Sequence, residues 1–301
     1  MAKERDPFID FLKGITIFLV LLGHSIQALT ATDTYYDNVL FKAIYSFHMP
    51  LFGFLSGYVS FWSYRKRLNA IVKSRIQGIL LPMIVWACIG VLIALSKKGF
   101  EGITALGLLK TFYYAFFGIW FLWTILLASL LLAVAYKASK QRKWLLITML
   151  VAGFLLIGVL PGYTSTWYIL PYFISGFFFS KHQLNKSEHW KLICLLSAML
   201  WMLMLCFFER QHYIYLTGID NLIRSGEGTI IQQLRIDLYR YAIGIWGIIA
   251  IWGACEYIFN WIQKKSFAIF LCTVGKNTMQ IYLIQRIVLE EYLPSMLHGG
   301  G

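Results

Sequence analysis

The most constraining feature of this chain is a series of long apolar segments that recurs along its length. A helix needs about 20 mostly apolar residues to cross a bilayer. The segments that meet or approach this length are Phe8–Leu29, Val39–Trp62, Gly78–Leu95, Ile119–Tyr136, Trp144–Leu160, Trp167–Ser180, Trp190–Phe208, Tyr241–Trp261 and Phe267–Leu293. A further segment, 103–118, is interrupted by Lys110 and is expected to be an interfacial helix or half a span. The sequence therefore predicts an all-α, polytopic transmembrane helix bundle of about nine or ten spans.

The composition supports this class and excludes others. Hydrophobic residues make up 59% of the chain and charged residues 14%, whereas about a quarter of the residues of a soluble domain are charged. The net charge of +13 is spread over short segments between apolar runs, which argues against a nucleic-acid partner. All five cysteines lie in apolar runs without C-x-x-C spacing, so we expect neither disulfides nor a metal site.

The distribution of Lys and Arg predicts how the chain is oriented. Lys3 and Arg5 precede the first span, and the segment 64–77 after the second span is rich in Lys and Arg. The intervening segment 31–38 contains two Asp and no basic residue. Because short cytoplasmic loops are enriched in Lys and Arg, the N-terminus is predicted to be cytoplasmic. We expect a single multi-pass domain over residues 1–301 in the cell inner or plasma membrane, surrounded by lipid.

The first span contains three ionisable side chains, which are costly inside a membrane and often functional. They are Asp10, Lys13 and His24. Lys13 and His24 are eleven residues apart, which places them on one face of a helix, roughly 16 Å apart along its axis. Asp10 lies three residues before Lys13 and is positioned to pair with it as a helical neighbour.

Two further residues suggest function, although a structural role is also open for each. His48 lies in the first turns of the second span, so the predicted orientation puts it at the same depth as His24, in the outer half of the membrane. Either histidine can equally be a hydrogen-bond partner of a neighbouring helix. Arg75, at the start of the third span, is either an orientation charge or a cationic group at the cytoplasmic mouth that binds a phosphate-bearing ligand.

These residues belong to strings that resemble the acyltransferase-3 family of membrane O-acyltransferases, and most closely its sugar-acetylating branch. A basic residue, ten intervening positions and a histidine form the family's most specific signature, and Lys13 and His24 fit it. Further matching strings, in the expected order, are at 47–52, 55–58, 75–82, 120–122 and 275–283. Two positions depart from the pattern: Gly78, where many members have a basic residue, and Gln285, where many have histidine.

The resemblance implies an enzyme that moves an acetyl group from acetyl-CoA to a hydroxyl of a glycan. The acceptor would be a sugar, polysaccharide or lipid-linked glycan of the cell surface, and acetyl-CoA would be a substrate, with no cofactor permanently bound. His24 would be the catalytic residue, while Lys13 and Arg75, together with Asp10, would belong to the donor site.

Two roles rest on position alone. His48 is expected to orient the acceptor or to stabilise charge on the carbonyl oxygen. Trp120 and Trp167 are expected either to stack on a sugar or to anchor their helices at the membrane interface. The alternative class is a multi-span transporter or flippase for a polar or lipid-linked substrate, in which a polar stripe lines the substrate path.

Overall fold

The structure is a computed structural model that describes residues 5–30, 32–98, 104–140, 142–159, 164–218 and 228–292. These residues are predominantly helical and contain no strand, which confirms the predicted all-α polytopic bundle. The chain divides into two compact units. The first contains Met1–Val59 and Pro171–Gly301, and the second contains Ser60–Leu170. The single domain over 1–301 stays a prediction.

The helices follow one another with short connections. In chain order they are α1 (Pro7–Leu29), α2 (Val39–Ser63), α3 (Leu68–Arg75), α4 (Leu81–Lys98), α5 (Ala105–Phe117), α6 (Trp120–Ala138), α7 (Lys143–Val159), α8 (Thr164–His182), α9 (Trp190–Leu205), α10 (Ile230–Ile262), α11 (Ser266–Lys276) and α12 (Thr278–Gln285). Two π-helical segments, Ile76–Leu80 and Arg286–Tyr292, follow α3 and α12. Each predicted apolar segment coincides with one or more of these helices.

The predicted span Tyr241–Trp261 starts too late, because α10 begins at Ile230. The physical reason is a capping box at Thr229. Its side chain accepts a hydrogen bond from the backbone N–H of Gln232, whose own side chain accepts one from the backbone N–H of Thr229. This arrangement satisfies two N–H groups that a helix start otherwise leaves without partners.

By length and hydropathy, five helical stretches of the described residues can cross a membrane. They are Pro7–Leu29, Val39–Ser63, Leu68–Ser96, Trp120–Ala138 and Ile230–Ile262. The pair formed by Ser266–Lys276 and Thr278–Leu289 passes the same test together but is bent by 73°, at the break predicted around Gly275. Three further apolar helices, α5, α7 and α9, are shorter. The total of nine or ten spans stays a prediction.

Within the first unit, α1 and α11 touch through their backbones. A Cβ atom on Gly14 would collide with the carbonyl oxygen of Leu271, and one on Gly275 would collide with the carbonyl oxygen of Asp10. Each helix therefore needs a glycine where it meets the other. Small residues permit this close packing in membranes, where helix association depends on van der Waals contact rather than on apolar burial.

The same reciprocal arrangement joins α2 to the part of α8 that belongs to the first unit. A Cβ on Gly57 would collide with the carbonyl oxygen of Phe173, and one on Gly176 would collide with that of Phe54. The ring of Phe54 then packs edge-on against Phe179, 5.2 Å away between ring centroids. These two crossings position the helices that carry the polar residues of the first unit.

We predict that Gly275→Ala destabilises the protein by about 1–3 kcal/mol, the usual range for an overpacked interior site. The added methyl would meet the backbone of α1, which cannot rotate away as a side chain can. Gly78→Ala is the matched control, because nothing lies within 4 Å of a Cβ at that position. Thermal unfolding of the purified protein in one detergent checks this. Equal midpoints for the two variants would contradict it.

Candidate active site

His24 lies near the end of α1, at a close contact with α2. A Cβ on the preceding Gly23 would lie 2.8 Å from Cε2 of Tyr45 and 3.6 Å from the side chain of Ile44. The absence of a side chain at Gly23 thus lets the Tyr45 ring pack against the backbone of α1, one residue from the histidine. The His24 side chain is partly buried.

His48 lies one helical turn after Ile44 in α2, and its side chain is 3% exposed. Its ring centroid is 4.6 Å from that of Tyr45, and it lies within electrostatic range of His24. The structure thus brings the two histidines close together. Their shared depth in the membrane and their catalytic roles stay predictions.

The hydrogen bonding of His48 determines its tautomer. Nδ1 lies 2.8 Å from the backbone oxygen of Ile44. Because a carbonyl oxygen only accepts hydrogen bonds, Nδ1 must carry the proton in this contact. The neutral ring then has an unprotonated Nε2, which accepts a hydrogen bond rather than donating one. A neutral His48 is therefore suited to a hydroxyl group and not to an oxyanion.

The other two ionisable residues of α1 lie near its start, and their predicted pairing was wrong. Arg5 Nε donates to Asp10 Oδ2 at 2.6 Å, whereas Lys13 forms no ion pair with a described residue. The Asp10 carboxylate is almost fully buried, and the more exposed Arg5 reaches it from the segment before the helix. Lys13 remains in the electrostatic field of both and is partly buried.

Arg75 lies at the end of α3 in the second unit, and its surroundings are neutral. Its Nη2 donates to Ser60 Oγ at 3.1 Å and to Ser63 Oγ at 2.9 Å. Its carbon Cζ is 6.0 Å from the centroid of the Tyr64 ring. Among the described residues no carboxylate pairs with Arg75.

The two tryptophans predicted for the acceptor also belong to the second unit, and both are partly buried. Trp120 starts α6 and packs edge-on against Phe121, with 5.8 Å between ring centroids. Trp167 packs against Phe154 of α7 at 5.0 Å. These contacts suit helix packing, and a sugar-binding role for either stays a prediction. In the described residues no cluster of His, Cys, Asp and Glu is placed to hold a metal ion.

Arg240, for which no role was predicted, organises the segment after α9. Its guanidinium is buried and donates to the backbone oxygens of residues 211, 212, 213 and 217. It also pairs with Asp237 at 2.9 Å. One side chain thus fixes several carbonyl groups of a segment that has little secondary structure of its own.

Through this segment, Arg240 is linked to the histidine pair. Tyr213, whose backbone oxygen it binds, lies in an aromatic cluster with Tyr36 and Phe41. Phe41 stacks on Tyr45 at 3.9 Å between ring centroids, and Tyr45 contacts Gly23 and His48. The sequence could have indicated a role for Arg240, because it is a charged residue within a long apolar helix.

Gln285 is the other residue without a predicted role. It ends α12, is 3% exposed, and neither polar atom of its amide has a partner among the described residues. A buried amide without hydrogen bonds is costly. Gln285 is also the position at which many members of the resembled family have histidine.

Comparison with known proteins supports the resemblance. A model of the acyltransferase-3 family, described as an acyltransferase domain, matches residues 6–290. The chain is 34% identical over 306 residues to nodulation protein NolL of Sinorhizobium fredii (strain NBRC 101917 / NGR234), covering 96% of this chain and 79% of that protein. It is 26% identical over 304 residues to nodulation protein NolL of Mesorhizobium japonicum (strain LMG 29417 / CECT 9101 / MAFF 303099), covering 96% and 78%. No solved structure matches the chain.

The chain therefore belongs to the acyltransferase-3 family. With its apolar helices, this makes it a multi-pass membrane O-acyltransferase. Its acyl donor, its acceptor and the role of each residue are matters of proposal.

The segment fixed by Arg240 contains a group that should make it sensitive to pH. Burial, and next the charge of Arg240, lower the pKa of His212. Its Nδ1 accepts a hydrogen bond from the backbone N–H of Glu209 at 2.9 Å, and a proton on Nδ1 would abolish that bond. A lowered folded pKa means that this stability is complete above the unfolded value, about 6.5, and is lost as the pH falls below it.

We therefore predict that segment 209–217 opens more readily at pH 5.5 than at pH 7.5. His212→Asn keeps an acceptor but does not titrate, so it should show a smaller difference. Hydrogen exchange of the purified protein, corrected for the intrinsic pH dependence of amide exchange, measures both. The same pH dependence in the wild type and in the variant would contradict this role for His212.

Proposed function

We propose that this protein transfers an acetyl group from acetyl-CoA to a hydroxyl of a cell-surface glycan or of a lipid-linked glycan precursor. The cell inner or plasma membrane is the proposed location. The observation that carries the proposal is the position of His24 beside His48 on neighbouring helices, with Lys13 on the same helix nearer the N-terminus. Lys13 and His24 form the family signature, and both are ionisable residues inside the first span.

The donor is proposed to enter from the cytoplasmic side. Coenzyme A carries several phosphates, which cationic side chains bind through charge-assisted hydrogen bonds. Lys13 and Arg75 each lie near the helix end that the loop charges predict to be cytoplasmic. Neither forms an ion pair with a carboxylate among the described residues. Asp10 would contribute by holding Arg5 at the start of α1.

The acetyl transfer is proposed to take place at His24. As general base, its imidazole takes the proton of the acceptor hydroxyl while the hydroxyl oxygen attacks the thioester carbonyl. The carbon–sulfur bond then breaks, and the coenzyme A thiolate takes up the proton. In the covalent alternative the imidazole attacks the thioester, releases coenzyme A and passes the acetyl group to the acceptor.

His48 is proposed to orient the acceptor. With Nδ1 donating to Ile44, Nε2 of the neutral ring is an acceptor for the hydrogen of a sugar hydroxyl. This favours the first of its two predicted roles over stabilisation of a carbonyl oxygen. Trp120 and Trp167 are retained as proposed stacking partners for the sugar, since aromatic rings present apolar faces of suitable size.

The 73° bend between α11 and α12 would also suit a transporter, in which broken helices surround a substrate site. Two observations favour transfer chemistry over transport. The bend directly follows Gly275, and the close packing of Gly275 against α1 already explains why a glycine is present there. The family match, moreover, spans residues 6–290 and is to acyltransferases.

We predict that His24→Ala lowers acetylation of the cell-surface glycan by about a hundredfold or more, the usual contribution of a general base. His189→Ala is the matched control, because His189 is exposed and lies outside the spans. Mass analysis of glycans from cells that express each variant at the wild-type level gives the measurement. Near wild-type acetylation with His24→Ala would remove the catalytic assignment.

We further predict that Arg75→Ala raises the KM for acetyl-CoA about tenfold, the equivalent of one charge-assisted hydrogen bond, and leaves the KM for the acceptor unchanged. Lys73→Ala removes a neighbouring exposed charge and should have a smaller effect. Initial rates with the purified protein at varied donor and acceptor concentrations separate the two constants. An unchanged donor KM would refute the donor role of Arg75.

A further inference from the structure

The surroundings of Arg75 are unusual because both of its hydrogen-bond partners are hydroxyl groups. Ser60 and Ser63 lie in the last turn of α2, and both accept from the same nitrogen, Nη2. A guanidinium has five N–H donors, so three remain after these two bonds. Nε is buried and has no partner among the described residues.

The hydroxyl of Ser63 is oriented by a second contact. It donates to the backbone oxygen of Ser60 at 2.8 Å. A hydroxyl has only one hydrogen to donate, so the oxygen of Ser63 presents its lone pairs to Arg75. The backbone of α2 therefore orients the Ser63 hydroxyl, so that Arg75 is always the donor in its hydrogen bond with Ser63.

The ring of Tyr64 is fixed on the same side of the protein. Its hydroxyl donates to the backbone oxygen of Ser129 at 2.5 Å, and the ring is almost fully buried. The ring centroid lies 6.0 Å from Cζ of Arg75, within the range of a weak cation–π interaction. Arg75 is thus held by three neutral neighbours, which restrict its position and leave its charge in place.

A carboxylate would have had the opposite effect on the charge. Arg240, which serves to fix a segment of the protein, is paired with Asp237, and Arg5 is paired with Asp10. The two arginines that fix segments of this protein thus have a carboxylate partner, whereas Arg75 is held by hydroxyl groups. Partners that orient the guanidinium without cancelling its charge are what an anion-binding arginine requires.

We propose that Ser60 and Ser63 are positioning residues that hold Arg75 for the anionic part of the acyl donor, and that their neutrality is essential to that role. The inference rests on the proposed function, because it takes Arg75 as part of the donor site. It adds two residues to that site and explains why they carry hydroxyl groups. The ligand chemistry expected at Arg75 is a phosphate group, and the natural ligand of this kind is coenzyme A.

The test compares Ser63→Asp with Ser63→Asn in the full-length purified protein. The two side chains have nearly the same size and both present an oxygen to Nη2, but only aspartate brings a negative charge. Ser63→Asp should raise the KM for acetyl-CoA about tenfold and should also weaken binding of coenzyme A, measured by calorimetry. Ser63→Asn should stay close to the wild type. The change in Ser63→Asp should fall on the donor KM more than on the turnover number.

Ser74→Asp is the control for a non-specific effect of charge. Ser74 precedes Arg75 but is exposed and has no hydrogen bond to the guanidinium, so this variant should change the donor KM much less. If Ser63→Asp does not fold, the double variant Ser60→Ala with Ser63→Ala replaces it. That variant removes both acceptors without adding charge and should also raise the donor KM, because the guanidinium is no longer held.

The outcomes separate this inference from the function on which it rests. A purely structural role for the serines would lower the thermal midpoint of Ser63→Asp and leave its donor KM and coenzyme A affinity unchanged, which would overturn the inference. Equal donor KM values for Ser63→Asp and Ser63→Asn would also overturn it, even if Arg75→Ala is impaired. If Arg75→Ala itself leaves the donor KM unchanged, the proposed donor site fails as well.

Discussion

The first unit of this protein depends on the close contact of α1 with its neighbours. In a membrane, apolar side chains gain little by leaving lipid for one another, so helices associate through close van der Waals contact. Gly14 and Gly275 allow α1 and α11 to touch backbone to backbone. Gly23 allows the ring of Tyr45 to lie against α1 at the other end. Every ionisable side chain that the first span contributes lies between or beside these contacts.

Three arginines of the described residues that lie in or fix connecting segments have carboxylate partners. Arg5, Arg210 and Arg240 each have a carboxylate partner. Two of them fix segments that follow or precede a helix, and Arg210 pairs with Asp37 of another connecting segment. Lys13 and Arg75 form no ion pair with a described residue, and both are partly buried. A charge in such a position is costly unless it has a partner or a use, and an anionic ligand is the use proposed for both residues.

The sequence predicted the elements that follow from periodicity and from length. Apolar runs located the helices, and the glycine at 275 located the bend before α12. The prediction that His24 and His48 share one depth came from loop charges combined with helix starts. Each of these predictions depends on local composition or on residue spacing along a helix, and a single sequence contains both kinds of information.

The contacts that depend on side-chain reach were not predictable in this way. Lys13 was the expected partner of Asp10 because helical spacing places it nearby, yet Arg5 reaches the carboxylate from outside the helix. The early start of α10 depended on a two-residue capping box within a polar segment. The serines that hold Arg75 lie fifteen and twelve residues before it, and no sequence periodicity relates them. Such pairs are set by how α2 and α3 pack.

The central claim is that this bundle of helices carries out acetyl transfer, and release of coenzyme A by the purified protein tests it most directly. The protein, reconstituted in lipid nanodiscs, would be given acetyl-CoA and a panel of glycans, with free thiol followed over time. The account predicts that coenzyme A is released and that one class of glycan acceptor accelerates the release while gaining 42 Da per acetyl group, the mass of C2H2O. Tight binding of acetyl-CoA without release of coenzyme A in the presence of any glycan would contradict it.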